Sequence, residues 1–175
     1  MTDPVIRDAT PADLEPLHAL VESAYRGDSA RRGWSHEADL LDGQRTDAQE
    51  LKTLLADTTQ VVLVAEASGE LVGCVVAADK GQGTAYLGML SVDPDRQAGG
   101  LGRRLVGAAE AVARERFGAG RMEMTVIHSR AELIAWYERL GYRLTGERRP
   151  FPMQDPRFGL PRVDDLTFVV LTRDL

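Results

Sequence analysis

The sequence predicts one α+β domain over residues 1–175, and three observations carry that prediction. Apolar residues recur at helical spacing in separate stretches of the chain. Three apolar runs between residues 61 and 92 are divided by turn signals, the pattern of consecutive strands. No repeat, low-complexity tract or linker divides the chain. The elements follow the order β-α-α-β-β-β-α-β-α-β-β.

Residues 5–7 form a short apolar-polar strand candidate. Thr10-Pro11-Ala12-Asp13 reads as a helix start, with Thr10 as N-cap, Pro11 at the first helical position and an acid three residues after the cap. Leu14, Leu17 and Val21 continue that helix to about Tyr25. Residues 26–47 are polar and poorly periodic, and a second helix is placed over 46–55. Runs 61–66, 71–78 and 84–92, split at Ser68-Gly69 and Gly81-Gln82-Gly83, suggest an antiparallel meander. The next helix puts Leu101, Leu105, Ala108, Ala109 and Val112 on one face and closes at Gly118. Residues 122–128 read as a strand. Ser129-Arg130-Ala131-Glu132 reads as a capping box for a helix ending at Gly141. Strands over 142–149 and 165–172 flank a loop that holds Pro150, Pro152, Pro156 and Pro161.

Hydrophobic residues make up 43% of the chain and charged residues 27%, the balance of an ordinary globular protein. A net charge of −6 argues against a nucleic-acid partner, which calls for a basic excess. An anionic ligand must therefore be held by local chemistry. Cys74 is alone within an apolar run, which rules out an intramolecular disulfide and leaves no Cys-based metal site; it reads as a small core residue. Met-Thr-Asp-Pro at the start lacks a basic or apolar leader. No apolar run approaches the ~20 residues of a membrane span, so no membrane partner is expected and a cytoplasmic location is the default.

The most informative stretch runs from Leu90 through Pro94 and Gly102 to Leu105. A strand ends near Val92, a Pro-containing turn follows, and glycines bring bare backbone amides to the start of an amphipathic helix. Such amides point outward and carry partial positive charge, which makes an anion site. Glycine lets a bulky phosphate approach the backbone. Arg96, Arg103 and Arg104 add positive charge in an acidic chain. After Gly100-Leu101-Gly102 the third glycine of a dinucleotide fingerprint is missing, with Leu105 in its place. No Gly-Lys-Ser/Thr follows either, which excludes the phosphate loop of NTPases. An isolated Gly-x-Gly is more often a simple helix cap. Here the preceding strand, the periodic helix and the flanking arginines favour a phosphate site.

Gln97-x-x-Gly100-x-Gly102, preceded by Leu90-Ser91-Val92-Asp93-Pro94, resembles the coenzyme A-binding signature of the GNAT superfamily of N-acetyltransferases. Ala135-Trp136-Tyr137-Glu138-Arg139-Leu140-Gly141-Tyr142 resembles that superfamily's second signature, an aromatic-Tyr-x-x-x-Gly-aromatic segment. The element order is similar across nearly the whole chain. The resemblance implies a single mixed, mostly antiparallel sheet of about seven strands flanked by about four helices. It also implies acetyl-CoA as cosubstrate, with no metal. The pantetheine arm would lie along Leu90, Ser91 and Val92. The pyrophosphate would sit on Gln97, Ala98, Gly99, Gly100, Leu101, Gly102 and Arg103.

The implied chemistry is direct attack of a neutral amine on a thioester, which needs an oxyanion donor, a base for the ammonium and an acid for the thiolate. By resemblance the donor is the backbone amide near Leu90 and the acid is Tyr137; the plain alternative for Tyr137 is core packing. Trp136 reads as core. The superfamily often has a Glu on the strand equivalent to 84–92, but Tyr86-Leu87-Gly88-Met89-Leu90 contains no acid. Arg130 stands where the superfamily often has Asn. Glu123 is the first candidate base, since strand alternation puts it on the face of Thr125 and Ile127. His128 is the second.

The segment 26–47 holds Trp34, His36, Glu37, Asp42, Gln44 and Arg45, and loops on a rigid scaffold commonly carry recognition. Trp34, Glu37 and Arg45 are the acceptor-site candidates, with Phe151, Met153 and Phe158 as an apolar wall. A small-molecule primary amine is the expected acceptor; a peptide amino terminus or lysine, or a non-catalytic acyl-CoA sensor, is the alternative. The last strand can serve as a homodimer edge, and nothing in the sequence forces it.

Overall fold

The computed structural model describes residues 2–26, 37–97, 99–155 and 159–175. Strand β1 (Val5–Asp8) leads through a 3-10 turn (Pro11–Asp13) into helix α1 (Leu14–Tyr25). Thr10 opens that turn as expected: its N–H donates to the Asp13 carboxylate at 2.7 Å. Short strand β2 (Leu41–Asp42) and helix α2 (Ala48–Ala56) follow. Asp47 caps α2 by accepting from the Glu50 N–H at 2.7 Å.

Strands β3 (Gln60–Ala67), β4 (Glu70–Asp79) and β5 (Thr84–Val92) form the expected antiparallel meander. A 3-10 turn (Pro94–Arg96) precedes helix α3 (Leu101–Phe117), which stops at Gly118 in the left-handed conformation. Strand β6 (Arg121–Ile127), helix α4 (Ala131–Arg139), strands β7 (Arg143–Pro150) and β8 (Leu160–Pro161) and strand β9 (Thr167–Asp174) complete the chain. The capping box expected at Ser129 to Glu132 is absent. Arg130 is the N-cap of α4 and makes no side-chain cap bond.

Seven strands make one sheet in the order β1-β3-β4-β5-β6-β9-β7, antiparallel except for β5 against β6. Among the described residues four α-helices flank it. The alternation of β3 and β4 sends side chains to both faces. On one face Leu63, Val75, Leu105, Ala109 and Met124 pack around α3. On the other, Leu17, Val21, Leu51, Val64 and Cys74 pack beneath α1 and α2. Full burial of each large aliphatic side chain stabilises the fold by about 1.5–3 kcal/mol.

The two short strands pair with each other, Leu41 opposite Pro161 and Asp42 opposite Leu160. They join the segment after α1 to the Pro-rich segment before β9. Leu41, Ile127, Phe151 and Leu166 form a third, small core at that junction. Among the described residues no helix is long and apolar enough to cross a membrane.

Candidate active site

The sheet opens between β5 and β6. Their parallel pairing covers only Thr84 with Arg121, Ala85 with Met122 and Tyr86 with Glu123. Beyond it the strands diverge, with the Tyr86 and Thr125 hydroxyls still in contact at 2.6 Å. Strand β5 also bulges. Gly88 pairs with Val76 and Ser91 with Cys74, so Met89 and Leu90 together stand opposite Val75. Met89 takes φ of +51°, in the left-handed region a side chain rarely adopts. Three side chains hold the bulge through its carbonyls. The Tyr25 hydroxyl donates to the Leu90 oxygen, and Ser91 Oγ and Cys74 Sγ donate to the Met89 oxygen at 3.2 and 3.5 Å. The register gives Met89 and Leu90 no one-to-one partner on β4, and both lie beyond the paired part of β6.

A groove of about 360 Å³ runs from this bulge to the start of α3. Leu90 and Val92 form its strand side; Gln97, Gly100, Leu101, Gly102 and Arg103 form its turn side. Gly100 is the N-cap of α3 with φ of +80°, and a Cβ added there meets nothing within 4 Å. Backbone is therefore bare to the groove at the positive end of a 17-residue helix. Gln97 Nε2 donates to the Val92 oxygen at 3.3 Å and ties the turn to the strand. Gly102 lies beneath the indole of Trp136, which a Cβ would approach to 3.4 Å. Arg96, Arg103 and Arg139 line the same groove, a basic lining in an acidic chain. This donor set fits a pyrophosphate.

Ser91 is buried behind the strand and does not line the groove, nor does the exposed Gly99. Ala98 lies outside the described residues. Arg104 turns away to Asp3 and the Pro4 oxygen, both at 2.8 Å. Trp136 is half-buried: it packs against the first core, as its spacing predicts, and it also walls the groove.

A second cavity, of about 300 Å³, fills the gap between the splayed strands. Tyr86, Gly88, Met89 and Leu90 of β5 line one side, and Met124 to Ile127 of β6 the other. Glu37, Arg45, Arg130 and Phe151 line it as well. Backbone bonds place the loop residues. Glu22 Oε1 accepts from the Arg45 and Thr46 N–H groups at 2.7 and 2.8 Å, and the Glu37 N–H donates to the Tyr25 oxygen at 3.1 Å. Arg162 latches the cover, donating from its backbone N–H to the Leu40 oxygen at 2.8 Å and from Nη1 to the Ala38 oxygen at 3.0 Å. Of the acceptor candidates, Glu37 and Arg45 thus reach one cavity; Trp34 and Phe158 lie outside the described residues. Met153 packs with the small third core.

The two cavities meet at Tyr25, Leu90, Leu133 and Tyr137, which line both. Tyr137 is only 5% exposed, and burial raises its phenol well above the ordinary tyrosine value. Its ring packs edge-on against Trp136 and Tyr142, at 4.9 and 5.9 Å between centroids. Among the described residues its hydroxyl has no hydrogen-bond partner, so at the junction it has a proton to give.

Neither Glu123 nor His128 reaches this junction. Glu123 sits on the last paired rung of β6, before the strands diverge, and lines neither cavity. Arg149 Nη1 donates to its carboxylate at 2.8 Å. The His128 ring turns to β9, with Nδ1 3.3 Å from the Thr167 oxygen and 3.2 Å from Thr167 Oγ1. Glu37 is the carboxylate among the described residues lining the acceptor cavity, bonded by Arg26 and, at 3.4 Å, by Arg130. Tyr25, Tyr86 and Arg139 were not singled out from sequence. Only Tyr25 had a signal: it is the polar-tipped last residue of an amphipathic helix.

Comparison with known proteins agrees with this geometry. The model of the Acetyltransferase (GNAT) family matches residues 18–142. The mycothiol acetyltransferase of Salinispora arenicola is 43% identical over 54 residues, which are 31% of this chain and 18% of that protein. This chain thus matches under a fifth of that relative's length. The ribosomal-protein-alanine N-acetyltransferase of Brucella melitensis superposes with a TM-score of 0.73 at 22% identity, covering 98% of this chain and 99% of the other. The yncA protein of Salmonella typhimurium, solved with its cofactor acetyl-CoA, superposes with a TM-score of 0.73 at 21% identity over 99% of this chain and 95% of the other. These structural likenesses speak for the fold. With the family match spanning the meander, the phosphate turn and the Tyr137 helix, the chain belongs to the GNAT acetyltransferase family.

Proposed function

We propose that residues 1–175 form one acyl-transfer domain that moves an acetyl group from acetyl-CoA to a small-molecule primary amine by direct attack. The observation that carries this reading is the meeting of two cavities at Leu90 and Tyr137, one basic and glycine-floored, the other lined in part by residues of two loops. When bound, the coenzyme supplies the acyl group as an activated thioester. The amides of residues 97–103 hold its pyrophosphate. The Leu90 amide, on the β5 bulge, donates to the thioester oxygen. Tyr137 gives its proton to the departing sulfur, and its raised pKa keeps that proton in place at neutral pH. Glu37 accepts from the acceptor's ammonium, whose proton leaves to solvent before the nitrogen attacks. A cavity of about 300 Å³ under a latched cover suits a small molecule better than a polypeptide.

Thiol release with acetyl-CoA and a panel of amines tests the reading. Tyr137→Phe is expected to lower kcat by about 10²- to 10⁴-fold with coenzyme affinity unchanged. Full turnover by that variant removes Tyr137 from the chemistry. Tight coenzyme binding without turnover on any amine instead marks a sensor module.

A further inference from the structure

The acceptor cavity carries more positive charge than the coenzyme requires. Arg26, Arg45 and Arg130 line it, and Glu37 is the carboxylate among the described lining residues. Arg26 and Arg130 both donate to Glu37, which accounts for that anion. Among the described residues Arg45 makes no direct ion pair, although the Glu37 and Glu50 carboxylates favour its charged form through space. Its guanidinium stands 5.2 Å from the centre of the Tyr25 ring, and among the described residues no carboxylate lies within ion-pair distance of it. A half-buried guanidinium on an aromatic face has lost part of its hydration and keeps its donor edge free for a planar anion. Its backbone is pinned, since the Arg45 and Thr46 N–H groups both donate to Glu22.

The coenzyme phosphates do not explain it. Arg45 does not line the coenzyme groove, where Arg96, Arg103 and Arg139 stand. It lies instead between the acceptor cavity and an adjoining trough of about 630 Å³ below α2, with Tyr86, Gly88 and Met89 lining both. Gln49, Glu50, Thr53 and Gln60 give that trough a polar lining.

We infer that the acceptor is a zwitterion of the amino-acid type, whose amine meets Glu37 near the Tyr137 junction and whose carboxylate is bound by Arg45. This inference rests on the transfer reading for the role of the amine, and the trough leaves room for the rest of the acceptor. Guanidinium and carboxylate match as a two-point pair, which gives the site geometric selectivity for a planar anion.

The test uses the whole chain saturated with acetyl-free coenzyme A. Each member of a panel of α-, β- and ω-amino acids is titrated in by calorimetry beside its own carboxamide. At least one acid is expected to bind about 10- to 100-fold tighter than its amide. Arg45→Gln is expected to bring that ratio close to one, and Arg45→Lys to keep part of it. Unchanged coenzyme affinity in each variant certifies the fold. Equal binding of acid and amide across the panel, no binding of either, or a preference that survives Arg45→Gln overturns the inference. Thiol release on the same panel reports separately on transfer: binding preference without turnover keeps Arg45 as the carboxylate site and sinks the catalytic reading.

Discussion

At the scale of single residues, the site depends on what backbone is left uncovered. Gly100 combines a left-handed φ of +80° with open space where a Cβ would stand. Aspartate enters that conformation at a cost of about 1–2 kcal/mol, while its carboxylate would occupy the anion site. Gly100→Asp is therefore expected to weaken coenzyme binding by more than about tenfold, with melting lowered only a few degrees. Gly100→Asn, with the same strain and no charge, should fall between the two. Equal affinity for Gly100→Asp and wild type in a calorimetric titration would remove the pyrophosphate from this turn. Trp136 shows the limit of reading residues singly. Its spacing is that of a core residue, and only its position above Gly102 makes it a groove wall.

At the scale of elements, β1, the 3-10 turn that opens α1, and β3 are joined by one arginine. Arg7 donates two bonds to Asp13, at 2.8 and 3.0 Å, and two to Glu66, at 3.0 and 2.7 Å. The Arg7 bonds hold the Asp13 carboxyl down at about 2, against an ordinary value of 3.8. The folded chain thus keeps Asp13 ionised where the unfolded chain has begun to protonate it. That stabilisation is complete above about pH 4 and is lost as pH falls towards 2. Asp13→Asn is expected to cost about 1–3 kcal/mol near neutrality, and the gap from wild type should close on acidification. Urea unfolding of both proteins at stepped pH measures it. A constant gap would show that the ion pair contributes nothing. The β5 bulge is the other decisive element, since Ser91 and Cys74 hold the carbonyl of Met89, whose peptide plane contains the Leu90 amide, and Tyr25 of α1 holds the carbonyl of Leu90 itself.

At the scale of the molecule, the protein buries several groups in their protonated forms. Burial pushes Tyr25 and Cys74 up to about 12 and raises Tyr137 and Tyr142 further. Each keeps its proton in the folded chain after the unfolded chain has released it. Stability is then intact below about pH 9 and falls as pH rises, each group adding a slope of about 1.4 kcal/mol per pH unit. Melting temperature against pH should show that decline beginning near 9–10. In the same range the transferase rate should show no falling limb from Tyr137, because its proton is retained. A rate that falls with an apparent pKa near that of a free tyrosine, about 10, would contradict the assignment.

The sequence by itself determined what depends on local periodicity and local chemistry. The meander, the α3 face and the phosphate turn could all be read because their determinants lie within a few residues of one another. The Tyr137 motif could be recognised for the same reason. Tertiary structure alone decided which side chains share a cavity. Glu123 and His128 have the right chemistry, but the point where β5 and β6 part leaves the first on a paired rung, and the second turns to β9. Tyr25, Glu37, Arg45 and Arg130 come from separate stretches of chain and meet only because the sheet splits there. A splayed sheet is a property of strand register. Register depends on partners distant in sequence, and neither composition nor periodicity records it.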